Sequence, residues 1–151
     1  MRIAAVDLGH TAGLVVGDTP SSFCVHLLHQ KSSSKWEGEH YQNFQDNLTQ
    51  CCSEGVEAIF YEKVARHAGT RAAHVYGAYE ALLQLWATNM RIHTHGIPVG
   101  TIKKHLTGSG NATKEEMVEG IQKKGHAITD HNEADALALY FYAHALLRTT
   151  E

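Results

Sequence analysis

The sequence predicts an α/β fold: a mixed five-stranded sheet, three antiparallel strands followed by parallel strands, flanked by helices. Three observations predict it. Three apolar strand-like segments come first, joined by connections short enough for hairpins. Two more then alternate with helical patterns long enough to cross over a sheet. The last segment, Ala134 to Leu147, is apolar nearly all round, as a buried helix is.

Met1–Val6 and Leu14–Gly17 read as two strands around a turn holding Gly9 and Gly13, and Phe23–His29 as a third. Ser34-Lys35-Trp36-Glu37 matches a capping box, and Trp36, His40, Phe44 and Leu48 follow at helical spacing, giving a helix to about Cys52. Glu57–Tyr61 is the fourth strand. Val75, Tyr79, Leu82 and Trp86 form the stripe of a second helix. Arg91–His95 reads as a short fifth strand, with Pro98 opening a brief helix through Leu106. A Gly-rich loop, Thr107 to Asn111, precedes a second capping box at Thr113-Lys114-Glu115-Glu116, whose helix runs to about Lys124 with Gly125 at its C-cap. Asp130-His131-Asn132-Glu133 opens the last helix, with Glu133 as the capping-box partner of Asp130.

At 151 residues the chain suits one domain over 1–151, and 43% hydrophobic with 19% charged residues is the balance of a folded domain. No apolar run reaches the roughly 18–20 residues of a membrane span, and no signal-peptide layout opens the chain. The expectation is a cytoplasmic protein with no membrane partner. Cys24, Cys51 and Cys52 form no C-x-x-C pattern and read as reduced thiols. The net charge of −3 is unusual for a nucleic-acid protein. Two strips free of acids soften that objection: Lys63, Arg66 and Arg71, then Arg91, Lys103 and Lys104.

Three acids stand where strands or helices would aim them into one pocket. Asp7 ends the run Ile3-Ala4-Ala5-Val6, Glu62 ends Ala58-Ile59-Phe60-Tyr61, and Asp135 lies in the opening turns of the last helix. Carboxylates at the ends of buried strands are costly to desolvate without positive compensation. A divalent metal supplies it, and phosphodiester hydrolysis is the chemistry that follows. Asp7 before Gly9 also suits an Asx-turn. An Asp-x-Gly turn occurs too in phosphate-binding loops of actin-like ATPases, the first rival reading. In the last helix His131 and Asn132 share the face of Asp135. His93 and His95 alternate onto one strand face, but no Cys/His cluster accompanies them, so zinc is not expected. Tyr76, Tyr79, Trp86, Tyr140 and Phe141 read as core rather than as base-stacking platforms.

Val6-Asp7-Leu8-Gly9, Phe60-Tyr61-Glu62, Ile102-Lys103-Lys104, Gly108-Ser109-Gly110-Asn111-Ala112-Thr113-Lys114 and Glu133-Ala134-Asp135-Ala136-Leu137-Ala138 follow one another in an order that resembles the RuvC-type Holliday-junction resolvases, of the ribonuclease H-like nuclease fold. The resemblance spans nearly the whole chain. It implies a metal-dependent endonuclease that resolves four-way or other branched DNA by paired nicks as a homodimer. It also implies Asp7, Glu62 and Asp135 as catalytic, metal-binding carboxylates for magnesium, with manganese able to substitute and two ions per site.

Lys103 and Lys114 become basic residues near the scissile phosphate, Lys114 with a catalytic role; Lys104, Arg66, His67 and Arg71 are further candidate DNA contacts. The family's fourth acidic position falls on Asn132, which leaves Asn132, His131 or Asp130 as fourth ligand. The family's aromatic wedge position falls on Ala65. The segment Thr70 to Trp86 is the candidate dimer face. These departures would suit a phage version acting in the host cytoplasm. A second rival is a branched-DNA-binding module without catalysis.

Overall fold

The computed structural model describes residues 1–30, 35–36 and 38–150. Its elements are β1 (Arg2–Val6), β2 (Thr11–Thr19), β3 (Ser22–His29), α1 (Glu39–Cys52), β4 (Val56–Lys63), α2 (Thr70–Met90), β5 (His93–Pro98), α3 (Val99–Thr107), α4 (Lys114–Lys123) and α5 (His131–Thr149). The sheet order is β3-β2-β1-β4-β5. β1 pairs antiparallel with β2 and β2 with β3, while β4 runs parallel to β1 and to β5. The predicted mixed topology is therefore the observed one.

Strand alternation sorts the core into two layers. Ala4, Val6, Leu14, Val16, Ile59 and Tyr61 face one way, against Phe44 and Leu48 of α1 and Tyr79, Leu83 and Trp86 of α2. Ile3, Ala5, Val15, Ala58 and Phe60 face the other way, against α5 and the smaller α3 and α4. α5 lies closest to the sheet, because β2 offers it glycines. A Cβ on Gly13 would overlap the Asn132 carbonyl, and one on Gly17 would meet the Tyr140 hydroxyl at 2.5 Å. The Tyr140 hydroxyl in turn donates to the Thr19 carbonyl at 2.8 Å.

Several boundaries differ from expectation, each for a local reason. β2 starts at Thr11, not Leu14, since the hairpin ladder continues until Asp7 N–H bonds the Gly13 carbonyl at 3.0 Å. β5 starts at His93, not Arg91, because Arg91 adopts the left-handed conformation (φ 58°) that closes α2. β4 extends through Lys63, so Glu62 sits within the strand, opposite Ile97. Ser34 and Glu37 of the first capping box lie outside the described residues. α1 begins at Glu39 after Gly38, without a side-chain cap, and Trp36 precedes it at 69% exposure rather than joining its buried face. Thr113 and Glu116 form the complete box expected at α4. Asp130 caps α5 by accepting from the amides of Asn132 and Glu133, but the Glu133 side chain makes no return bond, so that half of the box is absent. Cys24 is exposed, Cys52 is buried, and none of the cysteines is bridged. No described helix is both long and apolar enough to cross a membrane.

Candidate functional site

Parallel pairing sets Val6 opposite Tyr61, so Asp7 and Glu62, the next residues, come side by side at the same end of neighbouring strands. Alternation decides their face. Ile3 and Ala5 point toward α5, as do Ala58 and Phe60, and two residues further on each strand Asp7 and Glu62 follow them. α5 arrives over this end of the sheet with its N-terminus, and Asp135 lies one turn in. Sequence pattern and register thus bring the three carboxylates to one place, as expected.

Their electrostatics agree. Burial holds the Asp7 carboxyl well above the usual carboxylate range, and Glu62, Asp135 and Asp130 push it the same way against the pull of Lys114. Burial and Asp135 raise Glu62 to about 7, with Lys103 opposing. Burial raises Asp135 to about 6, against Lys103, Lys114 and His131. Lys103 of α3 and Lys114 at the first position of α4 are therefore the cations of this site, reaching it from different helices. Asp130 and His131 stand within electrostatic range as well, Asp130 with its carboxylate already committed to the α5 cap.

The other candidate DNA residues lie outside the cluster. Lys104, Arg66 and Arg71 are exposed and perturb none of the three carboxyls. His67 packs on Tyr76 (ring centroids 4.9 Å apart) and, with Arg71, lines an apolar pocket of about 640 Å³ walled by Leu8, Val64 and Val75. Ala65 is exposed and leaves that edge without a large side chain.

Two positioning features were not read from the sequence. Tyr76, expected in the core, is half-buried, and its hydroxyl accepts from the Val64 N–H while lying 2.8 Å from the Glu62 carbonyl and 3.2 Å from Glu80 Oε2. It pins the strand segment that carries Glu62. Gln30, fully buried, donates its N–H to the His10 carbonyl at 2.8 Å and its Nε2 to the Gly9 carbonyl at 3.4 Å; its Oε1 accepts from Asn47 at 2.8 Å. It ties the turn after Asp7 to α1. A lone Gln beside a polar stretch carries no pattern that would single it out.

The donor set suits a hard cation: all-oxygen ligands, densely surrounded, with more negative than positive charge. Among the described residues, however, no group of three His, Cys, Asp or Glu side chains already stands in an arrangement that could hold a metal ion. Mutual repulsion of like charges opposes the closing of these carboxylates on one point. Ligation by Asp7, Glu62 and Asp135 requires their side chains to draw together.

No family model matches the sequence, and no curated protein matches it significantly. Solved structures do match. The fold is similar to that of Thermus thermophilus RuvC in complex with a Holliday junction substrate, at TM-score 0.74 and 23% identity over 96% of each chain. It is also similar to the yeast mitochondrial Holliday junction resolvase Ydc2, at TM-score 0.60 and 9% identity over 99% of this chain and 84% of that one. The fowlpox virus Holliday junction resolvase is more distant, at TM-score 0.51 and 12% identity. At these identities the likeness establishes a shared ribonuclease H-like architecture.

Proposed function

We propose that this chain is a RuvC-type endonuclease that resolves four-way DNA junctions by paired nicks. One observation carries the reading: burial raises the carboxyls of Asp7, Glu62 and Asp135 on β1, β4 and α5, Glu62 and Asp135 raise Asp7 further, Asp135 raises Glu62, and Lys103 and Lys114 oppose them. The likeness of fold to a junction resolvase supports it, with the three carboxylates of this chain toward one end of neighbouring strands and at the start of α5.

Asp7, Glu62 and Asp135 would hold magnesium or manganese, two ions in the full site, and Asn132, His131 and Asp130 are the candidates for a fourth ligand. Bound there, the metal supplies Lewis acidity and lowers the pKa of an attacking water. The chain's own residues do the rest. The sheet and α5 carry the carboxylates on rigid elements, so only their side chains have to draw together. Lys114, with its side chain at the carboxylate cluster, neutralises charge growing on the phosphate; Lys103 holds Glu62 and Asp135 toward the ionised form. Lys104, Arg66, His67 and Arg71 would contact flanking phosphates, giving binding that follows backbone shape.

Two symmetric cuts need two sites, and α2 offers a second copy Leu85, 55% exposed on the side of the helix away from the buried Tyr79, Leu83 and Trp86. A monomer at micromolar concentration in sedimentation would sink this part.

The central experiment compares the protein with its Asp7→Asn variant on labelled four-way junction, linear duplex and single strand, with magnesium, manganese or EDTA. Paired nicks confined to the junction, lost with EDTA and in the variant, are expected. Equal activity in the variant overturns the assignment.

A further inference from the structure

Away from the carboxylates, a cleft of about 370 Å³ opens between the C-terminal half of α5, the end of α3 and the segment after α4. That volume falls in the roughly 300–1,000 Å³ range of small-ligand sites. His105, Lys124, His126, Phe141, His144 and Arg148 line it, and no Asp or Glu does. Lys124 Nζ lies 5.8 Å from the centre of the Phe141 ring, and the His126 ring lies 5.4 Å from the same ring at an interplanar angle of 31°. Phe23 backs both rings, at 5.5 and 5.8 Å. His144 is 8% exposed and its Nε2 is buried without a hydrogen-bond partner. The ion pairs among the described residues are Arg2–Asp18 and Lys123–Glu119, so neither Lys124 nor Arg148 is neutralised by an acid there.

Helix C-termini favour cations, which accounts for basic residues at the ends of α3, α4 and α5. It does not account for a ring-lined cleft or for an orphaned imidazole nitrogen. A transition metal on the three imidazoles fails on two counts. No group of three such side chains among the described residues could hold one, and Lys124 and Arg148 repel it. An anion with an attached ring meets both the unpaired cations and the ring-lined wall. Burial, with Lys124 beside His105 and with Arg148 and the N-terminal amine beside His144, holds both imidazoles below their usual range, although Asp18, outside the cleft, opposes this at His144. At neutral pH they are uncharged donors or acceptors, and the positive charge rests on Lys124 and Arg148.

We propose that this cleft binds a nucleotide unit, its phosphate on Lys124 and Arg148 and its base against the Phe141–His126 ring pair. The unit comes either from a DNA strand, which rests on the junction-cutting reading, or from a free nucleotide, which does not. His144 lies roughly 13 Å beyond Asp135 along α5, at 1.5 Å per residue, so a strand contact here is separate from the cut.

Binding is tested on the full chain carrying Asp7→Asn, in EDTA, so the result is independent of whether the wild type cuts DNA. Histidine-resolved NMR follows His105, His126 and His144 as dAMP, a single-stranded oligonucleotide or a four-way junction is added, and anisotropy gives the affinities. Shifts with dAMP assign a free-nucleotide site; shifts with DNA alone assign a strand contact. In either case Lys124→Glu with Arg148→Glu weakens binding at least 10-fold, and for DNA lowers the log–log salt slope by about 2. Phe141→Leu, which leaves the charge intact, weakens it as well and serves if the double variant does not fold. The proposal is overturned if none of the three probes moves the histidine signals, or if the variants bind as the parent does.

Discussion

Gly13 of β2 lies against Asn132 of α5 so closely that a Cβ on Gly13 would overlap the Asn132 carbonyl and stand 3.0 Å from the Ala136 methyl. Both obstacles are fixed, one being backbone, so Gly13→Ala must push the start of α5 off the sheet. Overpacking of this kind costs about 1–3 kcal/mol. Gly17→Ala meets the Ser22 carbonyl and Tyr140, further from Asp135, and serves as its partner variant. Both are expected to lower the melting temperature, but Gly13→Ala to reduce junction cleavage at least 10-fold more, because it displaces the turn that carries Asp135. Equal cleavage at equal stability would show that this contact does not position the site.

The three carboxylates make the metal-free protein sensitive to pH in a definite direction. Asp7 is raised by burial and by its acidic neighbours, so its folded pKa lies above the unfolded value near 3.9. A group of this kind binds its proton more tightly when folded. Its contribution is most favourable below the unfolded pKa and is lost as pH rises through the folded one. In EDTA at pH 8, Asp7→Asn should therefore melt higher than the wild type, by a few degrees if relief is about 1 kcal/mol. The gap should close as pH falls toward 4. Adding magnesium should reverse the order, since only the wild type gains from ligand binding. A variant that melts lower than the wild type in EDTA at pH 8 would contradict the repulsion.

What the sequence made legible was what periodicity and register carry. The runs ending at Val6 and Tyr61 identified the strands of Asp7 and Glu62, and the apolar helix after Asp130 identified the seat of Asp135. Pairing of β1 with β4 could not be read from either strand alone, because parallel neighbours are chosen by the crossover and its packing. Gly13 and Gly17 looked like turn and strand glycines; only the docked helix explains them. Tyr76 was misjudged because it stands beside the α2 stripe rather than in it, and its hydroxyl serves the backbone of β4. Trp36 was misjudged because it holds helical spacing with Phe44 and Leu48 yet precedes the helix.

Lys103 and Lys104 are neighbours with different work. Lys103 is half-buried and lowers both Glu62 and Asp135, whereas Lys104 is exposed and touches neither. Removing a cation raises the pKa of the carboxyls it faces. Lys103→Met should move the Glu62 titration, near 7 in the metal-free wild type, to higher pH in carboxyl-resolved NMR, and slow cleavage roughly 10- to 100-fold, a loss of about 1.4–2.7 kcal/mol in transition-state stabilisation. Lys104→Met should leave the titration unchanged and cost a few-fold in binding that high salt also removes. Identical titrations in the two variants would dissociate Lys103 from the site.

The fourth ligand can be separated by what each candidate already does. Asp130 accepts from the amides of Asn132 and Glu133 at 2.8 and 3.1 Å, so Asp130→Asn, itself a good cap, should keep α5 in place and change the magnesium requirement little if the carboxylate is committed to capping. Asn132 shares the Asp135 face and holds no acid. Asn132→Asp should lower the melting temperature in EDTA at pH 8, because a further charge joins a site that already repels its own. It should also reduce the magnesium concentration for half-maximal cleavage several-fold, because that charge is neutralised on binding. His131 lowers the Asp135 pKa, and His131→Gln should leave the magnesium requirement unchanged if its role is charge rather than ligation. A rise in the magnesium requirement with His131→Gln, and no change with Asn132→Asp, would instead place the imidazole in the ligand set.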